Sequence, residues 1–153
     1  MAGPTAWTVY NKAKKKIGNG TITLGAGVFK MCLTKSASNA STATLSTWAS
    51  VTNEISATGG YVAGGRNLGP ATGKWSTGTG ITEYKFYYTT LGLIYTASSA
   101  NLTNVKFAVI RNSTAGGAGH VLCWSRLSTS QFTITSGNTL TVTPAATGVF
   151  TLT

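Results

Sequence analysis

The sequence predicts an all-β protein, an antiparallel β-sandwich or barrel-like sandwich of about ten short strands with one N-terminal amphipathic helix. First, residue usage favours Thr, Ser, Gly and β-branched or aromatic types, with little helical periodicity. Second, short segments of alternating apolar and polar residues recur, separated by turn residues about every 8–12 positions, which is the spacing typical of sandwiches and barrels. Third, 153 residues, 42% of them hydrophobic, suffice for a single domain over 1–153 with a real core.

The N-terminal helix is predicted over residues 5–17. Trp7, Tyr10 and Ile17 recur at helical spacing, and Gly18 follows as a natural C-terminal cap. The last turns carry four lysines: Lys12, Lys14, Lys15 and Lys16. Cations at this end interact favourably with the helix dipole.

Short strands are predicted for most of the remaining chain. They cover residues 21–24, 28–34, 66–68, 84–88, 91–95, 105–111, 121–127, 132–134, 140–143 and 149–152. The glycines between the first two predict a hairpin. Residues 35–44 indicate a loop, and residues 45–51 a short helical turn or irregular structure. Aromatic rings on both faces of 84–88 indicate that a second sheet or a partner covers each face.

Acidic residues are nearly absent, because Glu54 and Glu83 are the only carboxylate side chains in a chain of net charge +10. Glycosidases need two neighbouring carboxylates, and a Ser-His-Asp triad needs an acid beside its histidine. Carboxylate-bound Ca²⁺ or Mg²⁺ needs several acidic ligands. We therefore expect a protein that is not an enzyme, with no catalytic residue, no cofactor and no metal site.

Two cysteines and one histidine are the other reactive residues. Cys32 and Cys123 are far apart, and the N-terminus lacks a signal-peptide pattern, which predicts free buried thiols and folding in a cytosol. Neither thiol belongs to a Cys-x-x-Cys pair, so no zinc site is expected. His120 lies three residues before Cys123, so the two fall on opposite faces of one strand and predict no Cys–His nucleophile. No apolar run approaches the roughly 20 residues of a membrane span.

A glycine-rich segment from Gly59 to Gly65 follows Glu54. It lacks the terminal Gly-Lys-Ser/Thr of a Walker loop and the following helix of a dinucleotide-binding loop, so it predicts a structural loop with glycines at positive φ. We expect the Glu54 carboxylate to accept backbone N–H groups of this loop or to pair with Arg66. The predicted structural loop comprises Glu54, Gly59, Gly60, Tyr61, Gly64, Gly65 and Arg66.

The lysine cluster is the strongest charge feature of the chain. Its candidate partners are nucleic acid, an anionic membrane surface and an acidic protein lattice, and the alternative is a solvated helix face. The other lysines and arginines are scattered singly, which argues against an aromatic-lined groove for single-stranded nucleic acid.

Three segments resemble a group of small virion structural proteins of tailed bacteriophages. The distinctive one is VTNEISxTGGYxAGG at residues 51–65, followed by Leu68. The run from Tyr10 to Leu33 and the ending from Thr147 to Leu152 are also similar, and the three occur in the expected order. The resemblance implies a non-enzymatic, mostly β protein that decorates the head or is a minor head or tail component.

The resulting hypothesis is a capsid decoration, or cement, protein in the virion, assembled in the bacterial host cytoplasm. It would bind the major capsid protein or other virion proteins, as a homo-oligomer or as lattice-bound copies, without a membrane. The expected contact residues are Trp7, Tyr10, Lys12, Lys14, Lys15 and Lys16. The alternatives are a tail, head-fibre or adaptor component, a nucleic-acid-binding module that uses the lysines, and a carbohydrate-binding module with Trp48 or Trp75 as its stacking platform.

Overall fold

An antiparallel β-sandwich-like architecture with one short N-terminal helix is the fold of this chain, as the sequence predicts. The computed structural model describes residues 6–69, 75–77, 84–88, 92–114, 119–145 and 148–152. The helix is α1 (Asn11–Gly18), and a 3₁₀ turn covers Trp48–Ser50. The strands are β1 (Thr8–Val9), β2 (Phe29–Lys35), β3 (Arg66–Asn67), β4 (Trp75–Thr77), β5 (Tyr84–Phe86), β6 (Leu93–Thr96), β7 (Leu102–Asn112), β8 (His120–Arg126), β9 (Phe132–Ile134), β10 (Thr139–Val142) and β11 (Phe150–Leu152).

The main sheet has six strands in the order β1-β8-β7-β2-β3, and β9 pairs with β7 off this path. The long strand β7 is its centre, flanked by β2 and β8 in antiparallel register. Residues of β2 and β7 are buried on both faces, because apolar side chains run almost continuously through these strands. Asn104 has a φ of 61° where the β7–β9 register shifts, a conformation that Asn tolerates better than most residues.

Two smaller sheets, β6–β10 and β4–β5–β11, pack on the main sheet. The rings of Phe29 on β2 and Phe86 on β5 meet edge to face, with centroids 5.0 Å apart. The Tyr95 hydroxyl on β6 donates to the carbonyl of Met31 on β2 at 2.6 Å. The buried side chains of all three sheets form one hydrophobic cluster, which fixes the surface segments described below.

The N-terminal segment differs from the helix predicted over residues 5–17. Thr8 and Val9 form β1 on the edge of the main sheet, where Val9 pairs with Cys123, and α1 begins only at Asn11. β-branched residues favour strand, and the free edge of β8 supplies hydrogen-bonding partners. Tyr10 therefore precedes the helix with extended backbone, and Trp7 does not share a helix face with it.

The predicted first hairpin is also wrong. Residues 21–24 form bends and a turn rather than a strand. The alternating pattern of apolar residues arises because the side chains of Ile22 and Leu24 are buried in the core, although the connection that carries them has no regular secondary structure. That connection is held by bonds from Ile22 N to the carbonyl of Lys16 and from Gly27 N to the carbonyl of Thr23, each 2.9 Å long.

The other predicted strands are present with shifted ends, and β4 is an additional strand. The predicted loop after β2 and the helical turn near residue 48 are both present. In the aromatic segment, Phe86 and Tyr88 are buried and Tyr87 is half-buried. The side chain of Tyr84 and all of Glu83 lie outside the described residues.

Candidate functional site

The surface of α1 presents a compact group of positive charges. Lys12, Lys14 and Lys15 are exposed there, and we call these three residues the lysine patch. The opposite side of the helix is fixed by Ala13, which is 1% exposed, and by the N–H of Asn11, which donates to the carbonyl of Ala43 at 3.1 Å. The patch therefore stands on a backbone that the core holds in place.

Not all predicted contact residues reach the surface. Tyr10 is 0% exposed and its hydroxyl donates to the carbonyl of Ala40 at 2.5 Å, so its prediction as a partner contact is wrong. The burial follows from its place between β1 and α1, where the ring points into the core. Trp7 is half-buried and packs against the same core.

Lys16 differs from the other lysines because its ammonium is already bound. Nζ lies 3.0 Å from Ser46 Oγ and 2.6 Å from Nδ1 of His120. Burial, followed by the charge of Lys12, lowers the pKa of Lys16. Burial, followed by the charge of Lys16, lowers the pKa of His120. Lys16 thus links α1 to His120, the first residue of β8.

The glycine-rich loop is organised by Glu54. Oε1 of this carboxylate accepts the N–H of Gly64 at 2.7 Å, the type of contact expected from the sequence, and the Tyr61 hydroxyl at 2.8 Å. The alternative partner, Arg66, donates instead to the carbonyl of Ile94. On the far side, the Arg111 guanidinium donates through Nε and Nη2 to the Gly64 carbonyl at 3.1 and 2.9 Å.

The glycines of this loop adopt the predicted backbone conformation. Gly59, Gly60, Gly64 and Gly65 all have positive φ. At Gly65, a Cβ would collide with the Met31 carbonyl on β2. The loop therefore lies directly against the main sheet.

The thiols are free and buried, as predicted. Burial raises the pKa of Cys32 to about 12 and raises the pKa of Cys123 as well. Cys32 on β2 and Cys123 on β8 are separated by β7, which at about 4.8 Å per strand spacing is too far for a disulfide. Neither thiol is placed to act as a nucleophile.

The proposed sugar platforms lie in different situations. Trp48 is half-buried, and the Arg111 guanidinium lies over its ring, 5.6 Å from the centroid. The side chain of Trp75 lies outside the described residues.

Neither a metal cluster nor a membrane helix is found in the part of the chain that the structure describes. Groups of three or more His, Cys, Asp or Glu side chains able to hold a metal ion do not occur there. None of the described helices is long and apolar enough to cross a membrane.

One group of polar side chains near His120 was missed by sequence reasoning. Thr21, Thr23, Asn112 and Thr114 converge with His120 around a pocket of about 160 Å³. They come from three separate segments and match no spacing motif, so no local pattern could have identified them.

Comparisons with family models, with curated proteins and with solved structures find no match to this chain.

Proposed function

We propose that this chain is a non-enzymatic structural protein of a tailed-phage virion, and most specifically a capsid decoration protein that binds and stabilises the head shell. The observation that carries the proposal is the lysine patch, three exposed cations on a helix anchored to the core of a chain with net charge +10. A fixed positive surface on a chain with only two carboxylate side chains suits docking onto an acidic protein lattice. The resemblance of residues 51–65 to phage virion proteins supports the same assignment.

The placement of the reactive residues is consistent with a binding role. The thiols are buried, and the Glu54 carboxylate holds the glycine loop. His120 is bound to Lys16. In this proposal the chain acts through thermodynamics, because a ligand that binds only the assembled shell favours that state. Repeated copies on one lattice add weak contacts through multivalency.

The decisive experiment measures occupancy on capsids purified without the chain. We expect the triple variant Lys12→Gln, Lys14→Gln, Lys15→Gln to associate about tenfold more slowly at low salt, with a flatter dependence on ionic strength. Gln is chosen because it retains helix propensity while it removes the charge. The matched control is Lys30→Gln, Lys35→Gln, Lys106→Gln, which lowers the net charge equally at strand positions.

Equal losses in both variants would mean that net charge alone drives binding, and no loss in either would overturn the electrostatic part. The same proteins are tested on duplex DNA, because stronger binding to DNA than to capsids at about 50 mM salt would assign the lysine patch to nucleic acid instead.

The copy number of the chain in purified virions distinguishes a position on the head from one in the tail. Hundreds of copies support decoration, whereas a handful supports a tail, fibre or adaptor component.

A further inference from the structure

A small polar pocket lies between the turn that follows α1 and the beginning of β8. Its volume is about 160 Å³, and its polar lining is Thr21, Thr23, Asn112, Thr114 and His120. One wall of the pocket belongs to the main sheet, because Asn112 on β7 pairs with His120 on β8. A bridge between Thr47 and His120 holds the other side of the strand. The sheet therefore fixes the wall of the pocket that carries His120 and Asn112.

The hydrogen bond from Lys16 determines the tautomer of His120. A lysine ammonium has three donors and no acceptor, so Nδ1, 2.6 Å from Nζ, must accept. The ring hydrogen then resides on Nε2, which makes no hydrogen bond with the described residues and can donate to a ligand. A cation on Nδ1 polarises the imidazole and strengthens Nε2–H as a donor.

Two further hydrogen bonds use the acceptor oxygens of Asn112 and Thr114, so that each side chain keeps a donor group. Asn112 is 5% exposed, and its Oδ1 accepts the N–H of Thr114 at 2.8 Å, which leaves the amide Nδ2 as its donor side. The Thr114 hydroxyl oxygen accepts the N–H of Val28 at 2.6 Å and keeps its own hydrogen to donate. Thr21 and Thr23 add hydroxyl groups at the exposed rim.

The pocket thus gathers donors, and none of the described residues that line it is acidic. We propose that it binds the carboxylate of an Asp or Glu side chain on the protein surface to which the chain docks. This inference rests on the proposed function and names the group that the docking surface recognises. A carboxylate accepts up to four hydrogen bonds and is small enough for this volume. The lysine patch attracts the acidic surface, and the pocket then fixes one acidic side chain.

The test uses the fact that His120 is the only histidine of the chain. Its ring ¹⁵N signals are therefore assigned without ambiguity, and they report directly on the pocket. We expect hexaglutamate, titrated at constant ionic strength against chloride, to shift the Nε2 signal saturably. A saturable shift with inorganic phosphate and none with hexaglutamate would assign the pocket to a free oxyanion and overturn the proposal.

Two variants keep the test independent of folding. His120→Gln removes the imidazole, and Thr21→Val with Thr23→Val alters only exposed positions. We expect each to bind hexaglutamate and capsids about tenfold more weakly, the order expected for hydrogen bonds to a charged group. Thr133→Val on β9 makes the same chemical change at an exposed position away from the pocket and should bind like the wild type.

The two proposals fail in different ways. If hexaglutamate occupies the pocket but purified capsids do not bind the chain, the capsid function is wrong and the carboxylate site remains. If capsids bind and both pocket variants bind them as tightly as the wild type, the carboxylate site is wrong and the capsid function remains.

Discussion

The Tyr61 hydroxyl donates a hydrogen bond to Oε1 of Glu54 at 2.8 Å and accepts the N–H of Leu33 at 3.0 Å. This chain of bonds joins the glycine-rich loop to the main sheet through a buried ring, and Gly64 N adds a second bond to the same carboxylate oxygen. Glu54→Ala removes the common acceptor. We expect it to lower the free energy of unfolding by about 2–3 kcal/mol, because the Tyr61 hydroxyl and the Gly64 N–H lose their partner.

Urea denaturation measures this change. Glu54→Gln is the matched control, since its amide oxygen can still accept both bonds, and we expect a loss of only about 1 kcal/mol. Equal stability of the Ala variant and the wild type would show that the Glu54 contacts do not hold the loop.

Gly65 is the position in the loop least able to accept a side chain. Its φ is +82°, and an added Cβ would meet the Met31 carbonyl and lie 2.5 Å from Cys32 Sγ. We expect Gly65→Ala to lower the free energy of unfolding by about 3 kcal/mol or more. Gly20→Ala is the control, because φ there is +76° with open space around it, and the cost should stay near 1 kcal/mol. Thermal denaturation compares the two, and equal melting temperatures would contradict the collision.

The strands of the core were predictable because their residues alternate or run as buried apolar segments. β7 and β8 illustrate this, because both contain runs of apolar residues and these residues are buried in the structure. The predicted N-terminal helix begins too early because Trp7 and Tyr10 match a helical period locally, whereas the pairing of β1 with β8 is a tertiary effect. The helical spacing of two aromatic residues does not override this pairing, which the β-branched Thr8 and Val9 also favour.

The candidate site was predictable only where its residues are adjacent in sequence. The lysine patch and the Glu54 loop are each continuous, so composition and spacing identify them. The contact between Lys16 and His120 joins residues 104 positions apart, and the pocket joins three segments. No local pattern carries that information, because it depends on the order of strands in the sheet.

Thr34 is a buried polar residue of β2 whose hydroxyl finds no partner among the described residues. The side chain is 0% exposed, and Oγ1 has no hydrogen-bond partner within the described residues. Thr34→Val replaces this hydroxyl by a methyl group, so we expect the free energy of unfolding to rise by about 1 kcal/mol. Thr34→Ala leaves a void and should destabilise. Guanidinium denaturation ranks the three proteins, and a less stable Val variant would reveal a partner for the hydroxyl.

The reactivity of the two buried thiols measures how often the main sheet opens locally. Cys32 and Cys123 are 0% exposed, and burial raises the pKa of each. We expect no reaction of the native protein with a thiol reagent at pH 8 over an hour, and two equivalents of reaction after unfolding in guanidinium. Rapid modification of one thiol in the native protein would show local opening of β2 or β8.

The contact between Lys16 and His120 makes stability depend on pH. The folded-state pKa of His120 lies below the ordinary value of about 6.5, first through burial and then through the charge of Lys16. Between the folded and unfolded pKa values the unfolded chain binds more protons, so the free energy of unfolding rises with pH in that interval. Stability is therefore complete above about pH 7, falls as the pH decreases through about 6.5, and levels off below the folded-state pKa.

Urea denaturation at intervals from pH 5 to 8 measures this dependence. His120→Gln should remove the slope near pH 6, because Gln does not titrate. Lys16→Gln should reduce the slope without abolishing it, since burial still lowers the His120 pKa when the neighbouring charge is gone. An undiminished slope in His120→Gln would assign the pH dependence to another group, whereas a Lys16→Gln slope equal to that of the wild type would show that the ammonium at 2.6 Å does not act on the imidazole.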